Sequence, residues 1–288
     1  MSHIKKYIFI LIAVPVLITL GRPVSHACTL WAAAGERVEG RGVMLAKNRD
    51  YIPQKSELQL VIPKEGFKYL GIFPVEGGKW RGLVAGINEK GLAIVSATAG
   101  SIPRTKRNKG AHGLNEKILT TYSSVDSVLA NKMMLEKSHP VFYLIADKRK
   151  VAVIEVAPGG ETSIGTTENG VLFHTNHYLD EKLLRANETT GKSSLARLNR
   201  IRNLLNDHPL RYTVEDFITF SEDAVDGPDD SIWRTGGTPG KERTLASWII
   251  FMPKNGAPEL YIKFANPEEP VRVYNMKLDT PFWTEGIN

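Results

Sequence analysis

Ser25-His26-Ala27-Cys28-Thr29-Leu30-Trp31 is the stretch on which the reading of this chain turns. Small residues at Ser25 and Ala27 make the A-x-A-like pattern of a signal-peptidase site, and cleavage there leaves Cys28 as the first residue. Upstream, Lys5 and Lys6 form a positive n-region, and Tyr7 to Leu20 is an almost unbroken apolar run containing Pro15. That run is short for a retained membrane helix, which needs about 20 apolar residues. Residues 1–27 are therefore expected to be a removed leader and 28–288 a single exported domain, periplasmic or secreted, with no stable membrane span after cleavage. A lipidated cysteine anchoring a non-catalytic binding protein is the alternative for the same position. It calls for Leu or a similar residue three places earlier, where Ser25 stands, and for a small residue where His26 stands.

A cysteine at a new N-terminus carries both a thiol and a free α-amine, so one residue supplies nucleophile and general base. Cys28 is the only cysteine of the chain. It has no partner for an internal disulfide, although exported chains usually keep their cysteines in pairs. It therefore reads as a reactive thiol; a buried core thiol fits poorly at a terminus, where chains tend to be exposed.

Hydrophobic residues make up 42% of the sequence and charged residues 24%, ordinary values for a globular protein with its own core. The formal charge is +6, of which Lys5, Lys6 and Arg22 belong to the leader, leaving a mild +3. Arg104, Lys106, Arg107 and Lys109 cluster between Pro and Gly without interleaved aromatics, which reads as a solvated loop. Nothing here calls for nucleic acid. A homo-oligomer is compatible with the sequence.

The periodicity predicts strands over 29–34 and 43–48 around the turn Gly40-Arg41-Gly42, and further strands over 58–62, 83–87 and 92–97. Helices are expected over 115–121 and 125–135, the second capped by Ser123 or Ser124. Strands over 141–146, 151–156 and 171–175 follow, the last two joined by a Gly/Thr-rich turn segment. Residues 195–205 have helical spacing, and 214–220 follows Thr213 with Asp216 three places on, a capping box. Strands over 246–252, 260–264 and 271–274 close the chain. Grouped strands and grouped helices argue for an α+β fold of antiparallel sheets.

Four segments carry candidate chemistry. Cys28 supplies the first. In Lys47-Asn48-Arg49-Asp50, the hairpin through Gly40 brings the strand end back beside Cys28. Asp50 can then orient the α-amine, and Lys47 or Arg49 can favour the thiolate. The same residues, taken alone, also read as a solvated charged turn. In His174-Thr175-Asn176-His177, Asn176 can aim an amide N–H at an oxyanion, while alternation sets His174 and His177 on opposite faces. No third ligand stands at metal-binding spacing, and no metal or other cofactor is expected. Arg243, after the loop Thr235-Gly236-Gly237-Thr238-Pro239-Gly240, can hold a carboxylate or support the thiolate, or can be a surface arginine.

Taken in order, Cys28-Thr29, Lys47-Asn48-Arg49-Asp50, Asn88-Glu89-Lys90-Gly91-Leu92, Thr175-Asn176 and Arg243-Thr244 resemble the cysteine N-terminal-nucleophile hydrolases. The groups resembled are the choloylglycine hydrolase and penicillin V acylase family and the isopenicillin-N acyltransferase-like family. The resemblance implies a four-layer αββα sandwich and an amidase or acyltransferase acting on a small N-acyl amide. It implies Cys28 as nucleophile, Asp50 as the residue that orients the N-terminus, Asn176 as oxyanion donor and Arg243 as the late active-site arginine. Two positions depart from the bile-salt-type pattern. Lys47 stands where an arginine is usual, which puts a planar guanidinium role in doubt unless Arg49 fills it. Thr98 stands where a second oxyanion-side residue is usual, leaving its backbone N–H for that task.

Overall fold

The computed structural model describes residues 27–207 and 211–286. The expected leader, apart from Ala27, lies outside them. Strands run in chain order as β1 (Cys28–Ala34), β2 (Gly42–Tyr51), β3 (Ser56–Val61), β4 (Tyr69–Glu76), β5 (Lys79–Trp80), β6 (Ala85–Asn88) and β7 (Ala93–Thr98). After the helical segment come β8 (Val141–Ala146), β9 (Val151–Val156), β10 (Thr162–Thr167) and β11 (Gly170–His174), and later β12 (Arg243–Pro253), β13 (Glu259–Phe264) and β14 (Arg272–Lys277). The helices are α1 (Arg104–Arg107), α2 (Leu114–Thr121), α3 (Val125–Leu129), α4 (Lys132–Glu136), α5 (Lys192–Asp207), α6 (Val214–Ser221), α7 (Gly227–Asp230) and α8 (Thr280–Glu285).

All pairing is antiparallel within two sheets. One has the order β11-β1-β2-β12-β13-β14, the other β10-β9-β8-β7-β6-β4-β3, with β5 paired to β4. The strand CTLWAAA is buried along its whole length because β11 and β2 flank it and both of its faces are covered. Its alternation shows where those faces go. Leu30 and Ala32 meet Leu70, Ile87, Val95 and Leu144 of the other sheet in the core between the sheets. Trp31 and Ala33 point the other way, onto Ile201, Leu205, Phe217 and Phe220 of α5 and α6. Ile94, Tyr143 and Ile154 on the outer face of the second sheet meet Ile118, Leu119 and Val128 of α2 and α3. The layers are thus helix, sheet, sheet, helix, the αββα sandwich that the resemblance implied.

The hairpin that carries the chemistry is set by its turn. Gly40, Arg41 and Gly42 all have positive φ, and a Cβ on Gly42 would fall 2.3 Å from the carbonyl oxygen of Met252. Glycine is required there. The resulting register sets Cys28 opposite Arg49 and Leu30 opposite Lys47.

Several boundaries differ from the sequence expectations. The Gly/Thr-rich segment is partly strand β10 rather than turn, and β4, β5 and α8 were not anticipated. The expected helix over 125–135 breaks at Ala130-Asn131 into α3 and α4. Ser124 caps α3 through Ser127, and Thr213 forms the capping box with Asp216.

Candidate active site

The β1–β2 register places the Cys28 side chain on the inter-sheet face, shared with Lys47 and Arg49. Asn48 and Asp50 alternate onto the other face. Asn48 Nδ2 donates to the carbonyls of Ser221 and Ile232, at 2.7 and 2.9 Å. β2 is central in its sheet, so its polar end is buried and each group needs a partner. Lys47 Nζ donates to the carbonyls of Val84 (2.9 Å) and Ser96 (2.6 Å) across the sandwich. Burial pulls the Lys47 pKa below the ordinary lysine value, and the nearby Cys28 opposes that fall. Arg49 Nη2 donates to Gln54 Oε1 at 2.6 Å, and its guanidinium carbon lies 5.3 Å from the centre of the Tyr51 ring. Cys28 Sγ is 4.0 Å from the main-chain carbonyl of Asp50, the one hydrogen-bond acceptor it meets among the described residues.

The nitrogen of Cys28, here the amide that joins Ala27, donates to Asn176 Oδ1 at 2.9 Å. Asn176 Nδ2 in turn donates to the carbonyl of Thr98 at 3.0 Å. One N–H of that amide is thereby engaged, and the amide carries a second. The residue lies just past β11, where Asn176 N donates to Ser194 Oγ (3.0 Å) and His177 Nδ1 lies 2.8 Å from the same hydroxyl. Burial brings the His177 pKa down to about 4, so the ring is neutral near pH 7. His174 is on a different network, its Nε2 2.8 Å from Glu155 Oε1.

A guanidinium that sequence reading missed completes the cluster. Arg197 is fully buried. Its Nη1 donates to the carbonyl of Cys28 (2.7 Å) and to Thr29 Oγ1 (2.9 Å), and its Nη2 donates to Asn176 Oδ1 (3.0 Å). Arg197 sits on the buried stripe of α5 with Ser194, Leu198, Ile201 and Leu205. A charged residue on the stripe that a 3.6-residue period marks as core was the available signal. Arg243, expected to fill this place, instead opposes Tyr51 at the start of β12, with its Nε buried and unpartnered. The structure brings Arg197, not Arg243, onto the residue that bears the thiol.

Asp50 also departs from expectation in its bonds. Its Oδ1 accepts from Thr244 Oγ1 at 2.8 Å, and its Oδ2 lies 3.9 Å from Arg234 Nη1 with no hydrogen-bond partner. The contact with Thr244 depends on a register shift in β12, which sets Thr244 against Asp50 and Ala246 against Arg49. Burial pushes the Asp50 pKa up to about 6, against the opposing pull of Arg197, Arg234 and the Thr244 hydroxyl. Arg234, also missed in the sequence, bridges towards Glu242 at 2.9 Å.

Cys28, Lys47, Arg49, Asp50 and Thr98 line one cleft of about 260 Å3 that opens past Glu76 and Arg81. Asn176 lies on the wall of a neighbouring cavity of about 390 Å3 with Ile102, Pro103 and Arg107. Of Cys28, Lys47, Arg49, Asp50, Thr98, Asn176 and Arg243, to which the sequence gives a site role, Arg243 alone is absent from both walls. Among the described residues, no group of three or more His, Cys, Asp or Glu is arranged to hold a metal ion, and no helix is long and apolar enough to cross a membrane.

Two antiparallel sheets between two helical layers, with Cys28 at the end of a central strand, are the fold of the N-terminal-nucleophile hydrolases. Within it, the chain belongs to the acyl-coenzyme A:6-aminopenicillanic acid acyl-transferase family, whose model matches residues 37–269. That match begins after β1, so it contains Lys47, Asp50, Asn176 and Arg197 but not Cys28. No curated protein matches the chain by sequence. Among solved structures, penicillin V acylase from Agrobacterium tumefaciens is similar at 14% identity and TM-score 0.54, over 87% of this chain and 86% of that one. A variant of conjugated bile acid hydrolase from Clostridium perfringens is similar at 14% identity and TM-score 0.46, over 87% and 92%.

Proposed function

We propose that the protein is exported, that removal of residues 1–27 makes Cys28 the first residue, and that the mature domain cleaves linear amides through a thioester on Cys28. The observation that carries this reading is the pairing of Cys28 N with Asn176 on one side and the opening of its thiol into a cleft on the other. Freed by cleavage, that nitrogen becomes an amine with a reference pKa of roughly 7.7–8.0, suited to take the thiol proton near neutral pH. The thiolate attacks the amide carbonyl. The second N–H of Asn176 and the backbone N–H of Thr98 receive the oxyanion, at about 3 kcal/mol per donor in comparable sites. The Cys28 ammonium then protonates the leaving nitrogen as the C–N bond breaks, and water attacks the thioester to release the acid.

Asp50 Oδ2 is a free acceptor for the ammonium form, and Arg197 fixes the Cys28 carbonyl and Asn176 together. An acceptor amine in place of water would make the same acyl-enzyme a transferase, as the family description supports. Arg81 and Glu76, whose side chains are more than half exposed, line the same cleft, and either water or an acceptor amine would reach the thioester past them.

The test is intact mass and N-terminal sequencing of the secreted protein, followed by turnover of an N-acyl amide panel by wild type, Cys28→Ser and Cys28→Ala. The expected result is a Cys28 N-terminus without lipid, an acyl adduct on Cys28 and no turnover by the alanine variant. Turnover by Cys28→Ala at the wild-type rate, or a lipid-sized mass increase, overturns the reading.

A further inference from the structure

One buried pair takes no part in the steps proposed above. His174 ends β11 in the first sheet, and Glu155 is the charged residue of the otherwise apolar β9 in the second. Both are buried, and His174 Nε2 lies 2.8 Å from Glu155 Oε1, so the pair spans the sandwich. The other ring nitrogen, Nδ1, is 2.9 Å from the carbonyl oxygen of Thr175. A carbonyl only accepts, so Nδ1 carries a hydrogen. A proton must then lie between Nε2 and Oε1, or two lone pairs would face each other at hydrogen-bond distance. The Phe142 ring covers the imidazole, with the centroids 4.2 Å apart.

The same carboxylate holds main chain as well. Glu155 Oε1 accepts from Leu179 N at 2.8 Å, and Asp180 N lies 3.3 Å from each carboxylate oxygen. Glu155 therefore holds the chain on both sides of Asn176, through the His174 ring before it and two N–H groups after it. Between these two holds, Asn176 N donates to Ser194 Oγ, and the Asn176 carbonyl accepts from Ser101 N at 3.1 Å. A buried ion pair adds little stability over apolar residues of the same volume, because desolvation offsets the attraction. What this pair adds is the placement of the turn that it encloses.

We propose that Glu155 and His174 are positioning residues that hold the Asn176 amide where an oxyanion can meet it. This inference rests on the reading of Cys28 as an acyl-accepting thiol with Asn176 as an oxyanion donor. Glu155→Gln keeps the shape of the side chain but breaks the pattern. A glutamine that turns its oxygen to Leu179 N leaves the His174 ring without an anion. One that turns its amide to His174 opposes the Leu179 N–H. Either way one hold on the turn is lost, and a misplacement of about 1 Å costs about 100-fold in rate.

The experiment follows two reactions of Cys28 in the mature protein. Iodoacetamide alkylates the thiolate by displacement at a methylene carbon and forms no oxyanion. p-Nitrophenyl acetate passes its acetyl group to the thiol through a tetrahedral oxyanion and releases p-nitrophenolate. The ratio of acylation rate to alkylation rate is the readout, because a change in thiolate fraction cancels from it. It is measured on wild type, Glu155→Gln, His174→Gln, the double variant and Tyr143→Phe. Each of the first two variants is expected to lower the ratio by about 10- to 100-fold, approaching the loss that follows removal of an oxyanion donor. The double variant is expected to fall no further than the single ones, since the two residues act as a unit. Turnover of an N-acyl amide is expected to lose kcat by a similar factor with KM little changed. Tyr143, on β8 beside β9, loses only its buried contact with Ser138 Oγ on change to Phe and is expected to keep the wild-type ratio.

A wild-type ratio in either folded variant, Glu155→Gln or His174→Gln, overturns the proposal. So does an equal fall in both reactions, which is general damage, or a matching fall in Tyr143→Phe. Failure of both variants to fold overturns it too, because it assigns the pair to stability alone. Wild type that is alkylated but never acylated is a different result. It removes the acyl-accepting reading of Cys28, and this inference with it.

Discussion

Arg197 Nη1 donates to the carbonyl oxygen of Cys28 at 2.7 Å, joining residues 169 positions apart in the sequence. The same guanidinium reaches Asn176 Oδ1, so one side chain fixes the residue bearing the thiol and the residue that receives its nitrogen. Burial draws the Arg197 pKa down and Asp50 opposes that. Arg197→Gln removes a buried cation from this network and is expected to cost about 3–5 kcal/mol of stability. Arg197→Lys keeps the charge but not the fork, so it is expected to lose less stability and at least about tenfold in kcat. Urea unfolding and steady-state kinetics on both variants check this; wild-type kcat in Arg197→Lys would separate Arg197 from positioning.

Asp50 gives a pH signature. Its pKa in the fold is about 6, against an ordinary 3.8, because burial outweighs Arg197, Arg234 and the Thr244 hydroxyl. The folded state therefore binds this proton more tightly than the unfolded chain. The stabilising contribution is complete below about pH 4 and is lost as pH rises through 6. Asp50→Asn is expected to gain stability relative to wild type between pH 4 and pH 8, by up to about 3 kcal/mol. On the proposed reading it also loses activity. Paired denaturant titrations at the two pH values measure the gain; an unchanged difference would mean that Asp50 ionises normally.

His177 works in the opposite sense. Burial lowers its pKa to about 4, with His174 adding to the effect, so the neutral ring on Ser194 is the folded form. Its contribution is intact above about pH 6.5 and is lost as pH falls towards 4. His177→Asn is expected to flatten the stability profile over that window and to weaken the Ser194 contact that holds Asn176 N. Thermal unfolding from pH 7 to pH 4 reads it out. A variant profile parallel to wild type would refute it.

Lys47 is expected to act on the thiol through charge. Lys47→Met removes the ammonium and its hydrogen bonds to the Val84 and Ser96 carbonyls. Alkylation of Cys28 by iodoacetamide at neutral pH is expected to slow by about tenfold, since the thiolate is the reacting form. Lys47→Arg is expected to restore most of the rate. Equal rates in wild type and Lys47→Met would remove Lys47 from the chemistry.

The hairpin was readable because its signals are local, while the layer order came with the family resemblance. The Gly40-Arg41-Gly42 turn and the alternation through Trp31 and Lys47 fix which residues share a face. The Thr213 cap was readable for the same reason. What stayed hidden depends on contacts far apart in sequence. Arg197 lies on a helix whose spacing was recognised, yet the partner that makes its burial tolerable is a carbonyl on β1. The resemblance assigns the late arginine to Arg243, but the register shift beside Leu245 gives the contact with Asp50 to Thr244. β4 carries Gly71 and Pro74 inside an apolar run, which masked a strand whose two faces both meet other elements.

The bond from Cys28 N to Asn176 already exists while Ala27 is still attached. On the proposed reading, scission changes the charge of that nitrogen without requiring a new partner for it. Recombinant production can dispense with the export route: a gene opening Met-Cys28 needs the loss of one methionine to unmask the catalyst.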